Sequence, residues 1–250
     1  MKIILLSLVV VLSIQDIFAD HHYESLKKLK DHLLDGYRKD FAPSPVDVQF
    51  SFDLRAARYN KKTHVVETTV WESYKWHDDR LVWKPEDYDN RSIIIMEHDP
   101  IWTPDFKLYN EVDEREDRDE TNVRIHSDGT VEWYPTALYQ TYGKKGAGKS
   151  GTVHFVIGSW SFHTSILKIS KMGEGVSLRY FLNETSPLLA EIDHVDVDAK
   201  RYSDFDKDFA TLDATVVFKK RPDYDDDDDH HHHPHTHDKA PEAAHAADDC

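Results

Sequence analysis

Two kinds of side chain in this sequence are gathered in patterns that suit chemistry: carboxylates in tracts, and indoles around one stretch. Glu111-Val-Asp-Glu-Arg-Glu-Asp-Arg-Asp-Glu120 sets seven carboxylates in ten residues, including Asp113, Glu114, Glu116, Asp117, Asp119 and Glu120. A second tract runs Asp223-Tyr-Asp225-Asp226-Asp227-Asp228-Asp229 and continues into His230–His233, His235 and His237. Hard cations such as Ca²⁺ take carboxylate oxygens, so both tracts are candidate calcium sites. Neither supplies the glycine-turned geometry of a dedicated cage, so the expectation is many weak sites. Arg115 and Arg118 partly neutralise the first tract, and a solvated loop of internal ion pairs is the plain alternative. The histidines suit Zn²⁺ or Cu²⁺, or proton buffering near neutrality. A purification tag is the dull reading, which Pro234 and Thr236 interrupt.

Four of the six tryptophans lie between residues 71 and 110: Trp71, Trp76, Trp83 and Trp102. The first three are spaced by five and seven residues, which fits neither one helix face nor one strand face. Such spacing suits a strand, a turn and the next strand. Buried indole needs a partner for its N–H, and core packing stands beside ligand contact as a reading of the cluster. No metal-ligand triad at fixed spacing and no nucleophile elbow is present, so an enzyme is not expected. Gly148-Lys149-Ser150 lacks the full spacing of a phosphate loop and reads as part of a flexible glycine-rich loop.

Elements must position these groups. The chain has 250 residues and a formal net charge of −16, from 47 acids against 31 bases. Residues 223–250 carry ten acids and one lysine, a net of −9, leaving −7 for the rest. Such a balance disfavours nucleic acid and anionic membranes and favours cations. Residues 1–19 have one early lysine, a short apolar run and Ala19 at the end, the make-up of a secretory signal peptide. The run is too short to span a bilayer, and no later segment is apolar enough for a transmembrane helix. The expectation is a secreted, extracellular protein. The single cysteine, Cys250, allows no intrachain disulfide.

Leu26, Leu29, Leu33 and Leu34 fall at helical spacing between Tyr23 and Tyr37, and Gly36 marks the stop. Pro43 and Pro45 then open an extended region. Val46, Val48, Phe50, Phe52 and Leu54 alternate with polar residues, the period of a half-buried strand. Ser127-Asp128-Gly129 is a hairpin turn between Val123–Ile125 and Val131–Tyr134. Val153 to Trp160, Ser177 to Leu182 and Ala214 to Phe218 read as further strands. One helix and about ten strands predict an all-β, immunoglobulin-like β-sandwich over residues 20–222. A disordered Asp/His-rich tail follows over 223–250. Asn90-Arg-Ser92 and Asn183-Glu-Thr185 are glycosylation acceptors in polar turns.

The run Trp71-x4-Trp76-x-Asp78-x3-Val82-Trp83, then Trp102-x-Pro-Asp-x2-Leu-Tyr109-Asn110, resembles the extracellular ligand-binding domain of Cys-loop receptors and the soluble acetylcholine-binding proteins. The resemblance continues at Val123 to Pro135, Gly158-Ser-Trp160-Ser-Phe162, Glu191 to Arg201 and Lys219 to Pro222, covering residues 22–222 in order. It implies a homopentameric ring, with stacking to a decamer as a further step. It also implies an aromatic box at the subunit interface that holds a small amine by cation–π attraction. Carried over, Trp160 is the principal aromatic residue, Tyr109 the first principal loop and Trp71 the complementary tryptophan. Arg124, Glu132 and Tyr134 fall on the complementary strand pair. The family's vicinal cysteine pair between two tyrosines is missing: Asp206 stands about where the first tyrosine belongs, and Phe209 substitutes for the second.

A missing lid and two acidic tracts make the main expectation a calcium-binding pentamer that interacts with calcium carbonate precursor in biomineralisation. In architecture and Asp-rich character the chain resembles a calcium-carbonate-binding relative from molluscan shell-forming fluid. The alternative is a soluble binding protein for a small cationic, cholinergic-type ligand at the aromatic box.

Overall fold

Alternation of apolar and polar residues along the chain folds it into two packed β-sheets behind one helix. The computed structural model describes residues 23–112, 116–119, 121–145, 150–182, 186–202 and 206–222, with the backbone alone at 116–119 and 145. The signal-peptide expectation, the Asp225–Asp229 tract, the histidine run, Asn183 and Cys250 lie outside the described residues.

Helix α1 covers residues 23–34. Its Leu29 and Leu33 are buried, Leu26 and Leu34 pack at the margin, and Gly36 ends it at φ +69°. Thirteen strands follow: β1 (Val46–Tyr59), β2 (Val65–Val82), β3 (Ile93–Met96), β4 (Phe106–Leu108) and β5 (Glu116–Asp119). Next come β6 (Val123–His126), β7 (Asp128–Trp133), β8 (Thr136–Tyr142) and β9 (Lys144–Lys145). The last are β10 (Ser150–Ser159), β11 (Leu167–Ser177), β12 (Leu188–Arg201) and β13 (Asp208–Lys220). The larger sheet runs β11-β1-β2-β7-β6-β3, with β8 also on β2 and β5 on β8. The smaller runs β12-β13-β10-β4, with β9 on β10. All pairs are antiparallel except β1 with β11.

The tryptophan spacing has a different cause from the expected strand, turn and strand. Trp71 and Trp76 sit on one continuous strand, β2. Five residues apart, they point to opposite faces, so Trp71 is exposed and Trp76 buried. A register shift between His77 and Val82 breaks the period, and Trp83 is again buried, its indole N–H donating to the Arg91 carbonyl at 2.7 Å. Two other expectations are also corrected. Residues 178–182 are not a strand but a turn after β11, and the acidic stretch 116–119 is not all loop but pairs with β8.

The core is an aromatic interlock between sheets. Phe50 and Phe52 of β1 meet Tyr74 of β2 at 4.9 Å, Phe106 of β4 at 5.2 Å, Phe155 of β10 at 5.5 Å and Tyr139 of β8 at 5.8 Å between centroids. The hairpin joining β6 and β7 turns at Gly129, φ +85°, where a Cβ would stand 2.7 Å from the Asp78 carbonyl oxygen, so only glycine fits.

Asp78 itself anchors the connection between α1 and β1. It is fully buried, accepts from Arg80 Nε and Nη2 at 2.8 and 2.7 Å and from the Tyr37 hydroxyl at 2.7 Å. Arg80 also donates to the Arg38 and Phe41 carbonyls, and the Trp102 amide to the Tyr37 oxygen. Burial pushes the Asp78 carboxyl up, but the Arg80 and Tyr37 hydrogen bonds outweigh it and hold the group below its ordinary value. Replacing Asp78 with Asn should cost roughly 3 kcal/mol at neutral pH, since it breaks a buried pair. The folded pKa lies below the unfolded value near ~3.9, so this stabilisation is complete above that value and is lost as pH falls through the folded pKa. Urea unfolding of both proteins should therefore show a gap at neutral pH that closes on acidification.

Candidate functional site

Two surfaces carry the aromatic residues singled out above, one on each sheet. On the smaller sheet, β4 and β10 pair Lys107 with Gly158. Tyr109 follows β4 and Trp160 follows β10. Their rings meet edge-on at 6.2 Å, and Tyr109 meets Tyr202 at 5.8 Å. Tyr202 in turn lies 6.2 Å from Phe209. Trp160 is 64% exposed, Tyr202 is partly exposed and Phe209 is buried beneath. The result is an open aromatic wall.

Backbone chemistry fixes this wall. The Asp105 carboxylate accepts from Ser159 Oγ at 2.6 Å and from the Ser161 amide at 2.8 Å, while the Trp160 amide bonds the Asp105 carbonyl. The Tyr109 hydroxyl donates to the Ser159 carbonyl. Burial, then Tyr202 and Asp105, push the Tyr109 pKa up, so the phenol remains a neutral donor. A Cβ at Gly158 would stand 2.6 Å from the Ala210 carbonyl and 2.8 Å from the Tyr109 hydroxyl. Glycine there lets the ring lie flat on the strand.

The ring from the β12–β13 hairpin that meets Tyr109 is that of Tyr202, just beyond β12. Asp206 instead lies 3.9 Å from Arg201. The β12–β13 hairpin is laced by ion pairs: Arg201 with Asp208 at 2.7 Å, and Lys200 with Asp213. Tyr202 was not foreseen: it lies one residue past the stretch Glu191 to Arg201. Lys107 was not foreseen either. Its ammonium lies 5.3 Å from the Trp160 ring centroid.

On the larger sheet stand Trp71 of β2, Arg124 of β6, Glu132 of β7 and Tyr134 just beyond β7. Arg124 pairs across the strands with Glu132, whose carboxylate lies 3.4 Å from both Arg124 and His126 and 3.9 Å from Lys75. Tyr134 is exposed, and burial followed by Glu132 raises its pKa. Trp71 is 41% exposed but already stacked: the Arg55 guanidinium carbon is 3.8 Å from its centroid, and Tyr180 is 5.5 Å away. Trp71 shares no ring contact with Tyr109, Trp160, Tyr202 or Phe209 within the described residues. One chain thus presents two separate walls.

Of the expected calcium ligands, Asp113, Glu114 and Glu120 lie outside the described residues. Glu116, Asp117 and Asp119 are placed by backbone along β5. No group of three His, Cys, Asp or Glu side chains is assembled for a metal among the described residues. Asn90 is exposed in a turn at φ +55°, open to modification.

A family model, the neurotransmitter-gated ion-channel ligand binding domain, matches residues 26–145. Over those residues, just under half of the chain, the sequence is similar to that family. The chain is 29% identical over 168 residues to the neuronal acetylcholine receptor subunit alpha-2 of Gallus gallus, covering 61% of the chain and 31% of the receptor subunit. To the beta-2 subunit of Rattus norvegicus it is 34% identical over 124 residues, covering 46% and 25%. The domain therefore spans about a third or less of these receptor subunits. The Capitella teleta AChBP in complex with lobeline superposes with a TM-score of 0.70 at 23% identity, covering 78% of this chain and 98% of that one. The likeness establishes the shared fold. No helix among the described residues is long and apolar enough to cross a membrane.

Replacing Gly158 with Ala should displace Tyr109 from the wall and cost about 1–3 kcal/mol through overpacking. A lower thermal midpoint together with altered emission from the neighbouring Trp160 would register it.

Proposed function

We propose that this domain is an extracellular binding module for a small organic amine. Copies of the chain associate so that the Tyr109–Trp160–Tyr202 wall of one faces the Trp71–Tyr134 wall of the next. The observation that carries the reading is Trp160, a large indole left 64% exposed beside Tyr109 and held from behind by Asp105. An exposed π face at a fixed angle to a second ring suits a cation, at about 0.5–2 kcal/mol depending on how dry the contact becomes. The family match and the receptor relatives support this reading ahead of the mineral one. The neighbouring fold whose structure holds lobeline supports it too. Without a cysteine pair the hairpin cap rests on ion pairs at its base, so amine binding should be weak.

Choline titrated into the full chain should bind, and Trp160→Ala should weaken it roughly tenfold, the loss of one desolvated cation–π contact. Equal binding by the variant would refute the site. Light scattering at micromolar concentration should give the mass of a pentameric ring; a monomer would refute the paired walls.

Calcium binding is a second reading, favoured by one observation. Pairing of β5 with β8 strings Glu116, Asp117 and Asp119 along a sheet edge within a segment of seven carboxylates. Affinities of about 10⁻⁴–10⁻³ M are expected. Deleting residues 223–250 and neutralising Asp113, Glu114, Asp117 and Asp119 should abolish calcium uptake and any effect on carbonate precipitation. Uptake unchanged in that protein would end the mineral reading.

A further inference from the structure

Charge is unevenly spread on this acidic chain, and one end of the sandwich is basic. Three stretches far apart in sequence build that end. The turn from β1 into β2 carries Arg58, Lys61 and Lys62, the exit of β8 leads through Gly143 to Lys144, and β13 finishes on Lys219, Lys220 and Arg221. Residues 58–66, 142–144 and 216–222 hold these seven bases and no acid, in a chain of net charge −16. Strand pairing brings the stretches together: Val65 faces Tyr142, Lys144 faces Thr152 near the start of β10, and Ser150 faces Lys219. Hydrogen bonds close the gaps between them. The Gly143 amide donates to the His64 carbonyl at 3.5 Å. Ser186 accepts from Arg221 Nε at 2.9 Å and donates from its own hydroxyl to the Ala57 carbonyl at 3.5 Å.

These bases outnumber the acids within their reach. Lys219 pairs with Glu191 at 2.9 Å. Arg58 stands across from Glu67 in the ladder, yet no ion pair joins them. Among the described residues Lys62 and Lys144 form no ion pair either, and both side chains are exposed. Arg221 Nη2 is buried with no hydrogen-bond partner among the described residues. Leaving such a donor unmatched is costly, and clustered like charges set up a positive potential that attracts a polyanion.

A polyanion begins one residue past this end. After Pro222 the chain reads Asp223-Tyr-Asp225-Asp-Asp-Asp-Asp229, six carboxylates in seven residues. Seven extended residues reach about 25 Å, and facing sheets stand about 10 Å apart. The run is therefore long enough to pass from Arg221 across the end to Lys62 and Lys144. Its attachment at Pro222 gives it an effective concentration on the order of millimolar, which a free competitor would have to match. We propose that residues 223–229 dock on the basic end of their own chain as an intramolecular cap, with carboxylates on Lys62, Lys144 and Arg221. Calcium bound by the same carboxylates would have to displace these bases, so the two compete for one set of ligands.

Carbodiimide joins a carboxylate to an amine only where the two touch. In the full chain at low salt it should link residues 223–229 to Lys62 or Lys144, in a product of single-chain mass on a denaturing gel. Mass spectrometry of the linked peptides locates the bond. At 1 M salt, where charges are screened beyond about 3 Å, the link should be lost. Links found only at two-chain mass, or none at low salt, would overturn the inference. A heparin column gives the second readout. The full chain should be weakly retained, Asp225→Asn through Asp229→Asn together should shift elution to higher salt, and adding Lys62→Gln and Lys144→Gln should reverse most of that shift. Equal retention of the full chain and the Asn variant would mean an open basic end that serves an outside polyanion. A shift that survives the lysine substitutions would reflect net charge alone. Either result refutes the cap.

Discussion

The aromatic contact between Phe50 and Phe52 of β1 and the rings of β4, β8 and β10 is the interaction on which the rest depends. No disulfide is available to a chain with one cysteine, so the two sheets are held by burial and ring packing. Rings this large contribute through the area they remove from water, and edge-on pairs add about 0.5–1.5 kcal/mol each beyond that. Once β1 is fixed inward by these rings, its outward residues, including Arg55, are fixed as well.

The same alternation decides what β2 offers. Trp71 faces out, while Glu72 faces in and accepts a hydrogen bond from the Tyr139 hydroxyl in the buried interior. A slip of one residue would bury Trp71 and expose Glu72, so the Glu72–Tyr139 pair pins the register that displays the tryptophan. On the other sheet, Gly158 and Asp105 play the corresponding part for Tyr109 and Trp160: one removes bulk, the other supplies acceptors. Both walls are thus held by polar groups behind them.

Charge gives the two walls distinct characters. Ion pairs among Lys200, Arg201, Asp208 and Asp213 steady the β12–β13 hairpin without a covalent link. An exposed pair such as Arg201–Asp208 contributes little to stability by itself, so the hairpin rests mainly on the ladder that joins β12 to β13 from Leu188 to Arg201. Lys107 beside Trp160 and Arg55 on Trp71 place fixed cations against both indoles. Both indoles therefore have some of their π surface already engaged.

Much of this was legible in the sequence. The helix around Leu29 and Leu33, the strand from Val46 to Leu54, the turn at Gly129 and the family motif around Trp71, Tyr109 and Trp160 each follow from local period or spacing. A period of 3.6 or 2 is a property of neighbours along the chain, and so survives without a fold. Other features needed the third dimension. The tryptophan spacing was misread because a bulge in β2, not a turn, reset the strand period. Tyr202 joined the wall, and Asp206 did not, because the β12–β13 register sets where that hairpin ends. Arg55 gave no sequence signal at all: its place comes from an unpaired position in β1 lying between Trp71 on the neighbouring strand and Tyr180 on a turn more than a hundred residues further on. Spacing along the chain determines which residues share a face; only the pairing of distant strands determines which faces meet.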